Sequence, residues 1–222
     1  VQDAATLYGI KEWGNGYFGI NSKGHLEVRP TQDENLVADV FEMVQYLRKK
    51  GVQTPLTLRF PQILADRVTE VNEAFRKAIR EFDYDGSYQG VYPVKTNQVK
   101  EVVEEIVKAG NKYHYGLEAG SKPELMIALS MDLHPEALVL CNGYKDETFI
   151  RMALLARKAG RNVLITVEKM TELPLILKVA KELKVEPLLG LRAKLNAMGS
   201  GKWETSAGDN AKFGLTTREL LE

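Results

Sequence analysis

Asn162-Val163-Leu164-Ile165-Thr166-Val167-Glu168 is an apolar run of strand length that ends on a charge, and it is one of five such runs between Gly90 and Leu195. The others are Gly90–Lys95, Tyr113–Glu118, Ala137–Cys141 and Pro187–Leu195. Between them lie helical patterns over Val99–Ala109, Pro123–Met131, Asp146–Ala159 and Leu173–Leu183. From Lys95 through Glu118, Cys141, Glu168 and Arg192 the strand ends fall 23, 23, 27 and 24 residues apart. Strands alternating with helices at this pitch predict repeated βαβ units and a parallel sheet. The runs are almost continuously apolar, which predicts burial on both faces.

Polar or charged residues recur where these strands end: Lys95, Glu118, Asn142, Glu168 and Arg192. In a (β/α)8 barrel that rim carries the chemistry, and an open doubly wound sheet also binds its ligand there. The pattern therefore predicts the position of a site and leaves both folds open. Five βα units account for Gly90 to about Arg218. Three more would need ~70 further residues to complete a barrel. The chain reaches Glu222 inside what reads as the start of another helix, Thr216–Glu222.

Outward from this region the text is less regular. Residues 1–30 are rich in Gly and aromatics (Trp13, Gly14, Gly16, Tyr17, Phe18, Gly19) and alternate over His25–Arg29, which predicts short strands and turns. Residues 31–89 form a lead-in. Leu36, Val37, Val40, Phe41, Val44 and Leu47 predict a helix over Asn35–Lys49, stopped by Gly51. A short strand is expected over Leu56–Phe60. A second amphipathic helix is expected over Gln62–Phe82, with Ile63, Val68, Val71, Phe75 and Ile79 inward. Residues 90–222 are the βα region.

Thirty basic residues balance thirty acidic ones, so no net field favours nucleic acid or a membrane surface. The lone cysteine, Cys141, cannot form an internal disulfide and suits a reducing, cytoplasmic compartment. On an apolar strand it is expected to be a small buried hydrophobe. No apolar run approaches the ~20 residues of a membrane span.

Gly14-Asn15-Gly16-Tyr17-Phe18-Gly19 has the letters of a dinucleotide fingerprint, but that motif needs a preceding strand and a following helix. Gly199-Ser200-Gly201-Lys202 has Trp203 where a phosphate loop carries Ser or Thr. Neither is taken as a nucleotide site. His25, His114 and His134 are scattered and no Cys/His pair has metal-ligand spacing, so no metal site is expected. Asn196–Lys212 is a long Gly/Ser/Ala/Asn-rich loop, a length that in compact domains goes with lids or disorder, and Trp203 speaks against simple disorder. Lys95 ends a strand before Thr96-Asn97, which can cap the next helix. A lysine in a partly apolar barrel mouth can act as an amine nucleophile. From position alone, a lysine that closes a strand and points to water is the commoner case. Arg192 sits between apolar neighbours and needs an anionic partner. A structural salt bridge to Glu168 or Glu118 competes evenly there with a ligand contact.

Val91-Tyr92-Pro93-Val94-Lys95-Thr96-Asn97-Gln98 resembles the Schiff-base segment of the fold-type III pyridoxal-phosphate decarboxylases, which act on ornithine, arginine and diaminopimelate. More narrowly the chain resembles the bacterial biosynthetic arginine decarboxylases. The resemblance rests on Trp13-Gly14-Asn15, Phe60-Pro61-Gln62-Ile63-Leu64, Gly116-Leu117-Glu118-Ala119-Gly120-Ser121-Lys122 and Cys141-Asn142-Gly143-Tyr144-Lys145-Asp146. Glu168-Lys169-Met170, Gly199-Ser200-Gly201-Lys202-Trp203 and Lys212-Phe213-Gly214 complete it, so it covers nearly the whole chain. It implies an α/β fold, an incomplete (β/α)8 TIM barrel of about five βα units. A short N-terminal β segment, contributing to a separate β domain, and helices would precede the barrel.

The resemblance implies pyridoxal 5'-phosphate held by Lys95, with Glu118 near that lysine and Arg192 beside the cofactor's ring and phenolic oxygen. Lys212 falls where the family has a lysine near the subunit interface. The implied reaction converts L-arginine to agmatine and carbon dioxide through a Schiff base, the first step of polyamine biosynthesis. A homo-oligomer and Mg2+ are implied by the family alone. The family's Phe-His-x-Gly-Ser segment, its Gly-Gly-Gly phosphate loop, the glutamate on the pyridine nitrogen and a C-terminal cysteine are absent from these 222 residues. The chain is therefore expected to be an N-terminal fragment that binds cofactor poorly and is inactive alone. Ornithine, lysine or diaminopimelate as substrate, and a non-catalytic homologue, are the competing readings.

Overall fold

The computed structural model of the chain describes residues 2–195 and 211–221. They fall into two compact units, one up to residue 71 and one from residue 72 onward. The Gly199–Lys202 segment and most of the Asn196–Lys212 loop, with Trp203, lie outside the described residues.

In the first unit, helices α1 (Gln2–Leu7) and α2 (Ile10–Gly14) stand where the sequence predicts strands and turns. Good helix formers such as Ala4, Ala5 and Leu7 decide this stretch. Turn chemistry separates α1 from α2 at Gly9, with φ of 56°, and ends α2 at Asn15 and Gly16, with φ of 46° and 80°. Strand β1 (Phe18–Ile20) follows. The glycines thus sit between a helix and a strand, the reverse of the dinucleotide order. Strand β1 pairs antiparallel with β2 (Leu26–Val28), and β2 with β3 (Ala38–Asp39).

Helix α3 (Val40–Lys49) starts five residues later than its apolar spacing predicts. Asp39 explains the start: it ends a strand and accepts the Glu42 amide at 2.9 Å as N-cap. The Glu42 amide, with His25 and Asn21 also bonded to the carboxylate, lowers the Asp39 carboxyl to about 2. Leu56–Phe60 is not a strand. Pro55 and Pro61 flank it and cannot donate to a ladder. Helix α4 (Pro61–Glu81) has the predicted extent. Its apolar stripe is only partly covered, with Val68 buried and Val71 and Phe75 exposed.

In the second unit five strands run parallel in chain order: β4 (Val91–Pro93), β5 (Gly116–Ala119), β6 (Leu138–Cys141), β7 (Asn162–Val167) and β8 (Leu188–Leu191). Helices α5 (Lys100–Gly110), α6 (Lys122–Ser130), α7 (Glu147–Lys158) and α8 (Glu172–Leu183) connect them, and α9 (Thr217–Leu221) follows β8. A doubly wound sheet reverses its order at a switch point. Here the order never reverses, which is the arrangement of consecutive barrel strands. This is an α/β fold holding part of a barrel.

Local chemistry sets the elements. Asp146 caps α7 by accepting the Phe149 amide at 2.9 Å, and Ser121 caps α6 through Glu124. Asn97 does not cap α5; its side chain accepts the Val99 amide at 3.0 Å and braces the turn after Lys95. At Gly116 a Cβ would lie 1.9 Å from the Leu138 carbonyl oxygen, so β5 and β6 pair closely only because this residue is glycine.

The sheet is buried on one face only, contrary to the two-faced burial predicted from composition. Along β7, Val163, Ile165 and Val167 are buried while Asn162, Leu164 and Thr166 are half-buried. The buried set packs with Phe149, Ile150, Leu154, Ile176 and Val179 of the covering helices. An eight-stranded barrel fills its interior with side chains from all its strands, and five strands leave that face half covered. Cys141 is fully buried, and burial pushes its thiol up to about 12.

Two outcomes follow. Leu154 is fully buried and its neighbour Leu155 is 48% exposed. L154A is expected to lose roughly 2–5 kcal/mol in denaturant unfolding, and L155A to stay within about 0.5 kcal/mol of the parent. Second, the Asp39 carboxyl lies below its ordinary value when folded, so its contribution is whole above about pH 4 and is lost as pH falls toward 2. D39A should therefore lower the thermal midpoint at neutral pH, with the gap to the parent closing between pH 4 and 2.

Candidate functional site

The strands end on one cleft of about 530 Å³ in the second unit, lined by Lys95, Glu118, Asn142, Thr166, Arg192 and Phe213 with the backbone of Gly120 and Gly143. Lys95 follows β4 in a tight turn over Val94–Thr96, whose Val94 is fully buried. Pro93 pairs with Glu118 in the sheet register. The Lys95 Nζ accordingly lies 3.8 Å from Glu118 Oε1. This is a loose pair with an exposed ammonium, and such pairs hold a side chain only weakly. The amine is free to meet a ligand.

The other side of the cleft is built more firmly. Arg192 follows β8 and its Nη1 lies 3.3 Å from Glu168 Oε1, at the end of β7. Of the two partners that sequence reasoning offers Arg192, the structure brings it to Glu168. The guanidinium is half exposed and also lies over the Phe213 ring, 5.4 Å from its centroid. Phe213 belongs to a returning segment that pairs beside β8: Leu215 donates to the Arg192 carbonyl at 2.7 Å and Lys194 to the Leu215 carbonyl at 2.8 Å. At Gly214 φ is 99°, and a Cβ would press on the Arg192 carbonyl at 3.1 Å, so glycine lets the segment dock. Tyr144 packs on Phe213 at 4.8 Å between centroids.

Behind this wall lies a buried ionic network that sequence reasoning missed. Glu168 is fully buried and accepts the Gly143 amide at 2.9 Å as well as Arg192. Glu172 accepts the amides of Lys145 at 2.8 Å and Glu168 at 2.9 Å. The Lys145 ammonium, with no exposed surface, lies 3.3 Å from Glu172 and donates to the Gly143 carbonyl. Burial pushes the Lys145 ammonium below its ordinary value, against the pull of Glu172. The one available sequence signal was the pair of glutamates a helical turn apart just past β7; Lys145 lies 27 residues from Glu172 and carries no local signature.

Histidines scattered in sequence are partly gathered in space. His114 stacks on His134 at 3.9 Å, with Glu136 Oε2 3.0 Å from His114. Both histidines precede their strands, at the end of the sheet away from the cleft. His134 Nδ1 already accepts the Glu136 amide. The second group, His25 with Asp39 and Glu42, belongs to the first unit, where Asp39 is committed to capping α3.

The cleft offers an amine, a guanidinium, an amide, a hydroxyl and carboxylates around half-apolar walls. Lys95 is the one lysine among the described lining residues and offers an amine able to bond a carbonyl carbon, and Arg192 offers a held donor for an anionic group. At Gly143 φ is 75° and a Cβ would lie 3.1 Å from the Gly120 carbonyl oxygen, so glycine lets the two loops approach. No helix among the described residues is long and apolar enough to cross a membrane.

Known proteins match the chain over its whole length. Residues 68–222 match the family described as pyridoxal-dependent decarboxylase, pyridoxal binding domain. The biosynthetic arginine decarboxylase of Gloeobacter violaceus is 50% identical over 222 residues, and that of Deinococcus radiodurans 51% over 219. The chain spans 34% and 33% of their lengths, about a third of each. The crystal structure of the biosynthetic arginine decarboxylase of Campylobacter jejuni superposes with a TM-score of 0.82 at 37% identity, covering 96% of this chain and 33% of that one. A diaminopimelate decarboxylase structure from M. jannaschi, at 22% identity and TM-score 0.64, covering 92% of this chain and 42% of that one, shares the fold.

Proposed function

The chain belongs to the family of pyridoxal-dependent decarboxylases, within its pyridoxal-binding domain, and from that premise we propose that it supplies the cofactor-binding part of an enzyme that decarboxylates L-arginine to agmatine. The single observation that carries the reading is Lys95, the one lysine among the described residues lining the cleft, opposite a guanidinium held by a buried carboxylate. Arginine as the substrate rests on the biosynthetic arginine decarboxylases that match the whole chain at about half identity.

When bound, pyridoxal phosphate supplies an electron sink for the electrons left by departing carbon dioxide. The chain's own residues prepare for it. Lys95 offers the amine that bonds the cofactor's aldehyde carbon, and Glu118, 3.8 Å away, takes or returns a proton at Nζ. Arg192, held by Glu168, would donate to the cofactor's ring oxygen. Phe213 closes one side against water. Lys95, Glu118 and Arg192 are thus the proposed cofactor-binding residues, with Lys95 the catalytic one.

In the whole enzyme we place residues 1–30 with a β domain, 31–89 as the lead-in and 90–222 as the first barrel units. The free buried Cys141 suits a reducing cytoplasmic compartment, and a homo-oligomer is the proposed assembly. Mg2+ takes oxygen ligands in near-octahedral array. Of the two described clusters, one sets a single carboxylate beside two histidines, and in the other Asp39 is committed to capping α3 and Glu42 to Lys23, so neither fits it. The steps above do not need it.

Borohydride reduction of the full-length enzyme with pyridoxal phosphate, followed by peptide mass spectrometry, should place the cofactor on Lys95. K95A should abolish both the label and agmatine formation from L-arginine. A label on another lysine sinks the assignment, and labelling of Lys95 with turnover of ornithine or diaminopimelate alone sinks the substrate.

A further inference from the structure

The charged side chains behind the cleft alternate in a way that the cofactor chemistry does not itself require. Lys145, Glu172 and Glu168 are all nine-tenths or more buried, and Arg192 at the end of the series is the only one that faces the cleft. Buried ion pairs seldom add stability over apolar side chains of the same volume, so packing alone is a poor reason for three of them here. We propose that Lys145 is a positioning residue for the cofactor site, acting through Glu172 and Glu168 on Arg192.

The hydrogen bonds give the route. Both oxygens of Glu172 are engaged: Oε1 by the Lys145 amide at 2.8 Å, and Oε2 by the Glu168 amide at 2.9 Å and the Lys145 ammonium at 3.3 Å. Glu172 thereby ties the loop after β6 to the end of β7. Glu168 then uses its own carboxylate on the Gly143 amide at 2.9 Å and on Arg192 at 3.3 Å. The same loop supplies Asn142 and Gly143 to the cleft lining.

Charge explains why the first member is a lysine. Two buried carboxylates lie close together, Glu168 just past β7 and Glu172 at the start of α8, and two cations, one at each end, balance them. With Lys145 on Glu172, Glu168 is left to Arg192. Without Lys145, both carboxylates would draw on the single guanidinium, which would leave the place where it meets the cofactor. Lys145 touches neither cofactor nor substrate; it fixes the residue that does. The proposal deepens the cofactor-binding reading and rests on it.

The test uses the full-length enzyme with K145M, which keeps the volume and removes the charge, and with K145R, which keeps the charge. Two quantities are read: pyridoxal phosphate affinity by absorbance titration, and the rate at which phenylglyoxal modifies Arg192 in cofactor-free protein, by mass spectrometry. K145M is expected to weaken cofactor binding by about tenfold or more and to speed Arg192 modification severalfold. K145R should keep both within about threefold of the parent, because it restores the countercharge to Glu172. If K145M does not fold, the neutral K145Q is read in its place with the same expected changes. K145M or K145Q equal to the parent overturns the proposal, as does a K145R that is as weak as the neutral variant, since Lys145 would then act by its shape. Should the unaltered enzyme bind no pyridoxal phosphate, the function reading fails, while the Arg192 modification rates still decide the positioning role.

Discussion

Glu168 places a carboxylate at the C-terminal end of β7 with no access to water, and much of the cleft follows from compensating it. A buried carboxylate needs hydrogen-bond donors and a countercharge on the spot. The Gly143 amide and Arg192 supply them, while the Glu172–Lys145 pair holds the Glu168 backbone and the Gly143 loop in place, so three consecutive βα units take part. The ends of β6, β7 and β8 are thereby locked together at the rim. The opposite wall, with Lys95 and Glu118 only loosely paired, is left adaptable. One rigid wall facing one mobile amine suits a site that must hold an aromatic ring in place while a bond to it is made and broken.

The backbone that brings these residues together is legible in the sequence to a useful depth. Alternating apolar runs and helical patterns from Gly90 onward show the parallel βα units, and the charged strand ends mark the rim, because both depend on local periodicity and on strand length. Order within the sheet is a long-range property, so the runs alone could not separate consecutive barrel strands from a doubly wound sheet; the unreversed order of β4 to β8 does. The misread elements are local. Within residues 1–30 the expected strands stand at Phe18–Ile20 and Leu26–Val28, and only the start, up to Gly14, is helical, where good helix formers prevail. At Leu56–Phe60 the two flanking prolines exclude a ladder.

At the site, Lys95, Glu118 and Arg192 stand out because each breaks an apolar run near a strand end, and the structure gathers all three around one cleft. Lys145 and Glu172 break no such run. Their importance arises only from burial and from a pairing across 27 residues, which a linear pattern does not carry. The same holds for His114 and His134, twenty positions apart in sequence yet stacked in space.

The bond between Lys95 and the cofactor is the claim on which the functional account turns, and a crystal structure of the full-length enzyme grown with pyridoxal phosphate tests it most directly. Continuous density from Lys95 Nζ to the cofactor's aldehyde carbon, with Arg192 against the ring oxygen, is the predicted result. Cofactor bound elsewhere, or joined to a different lysine while Lys95 points to solvent, would contradict the account.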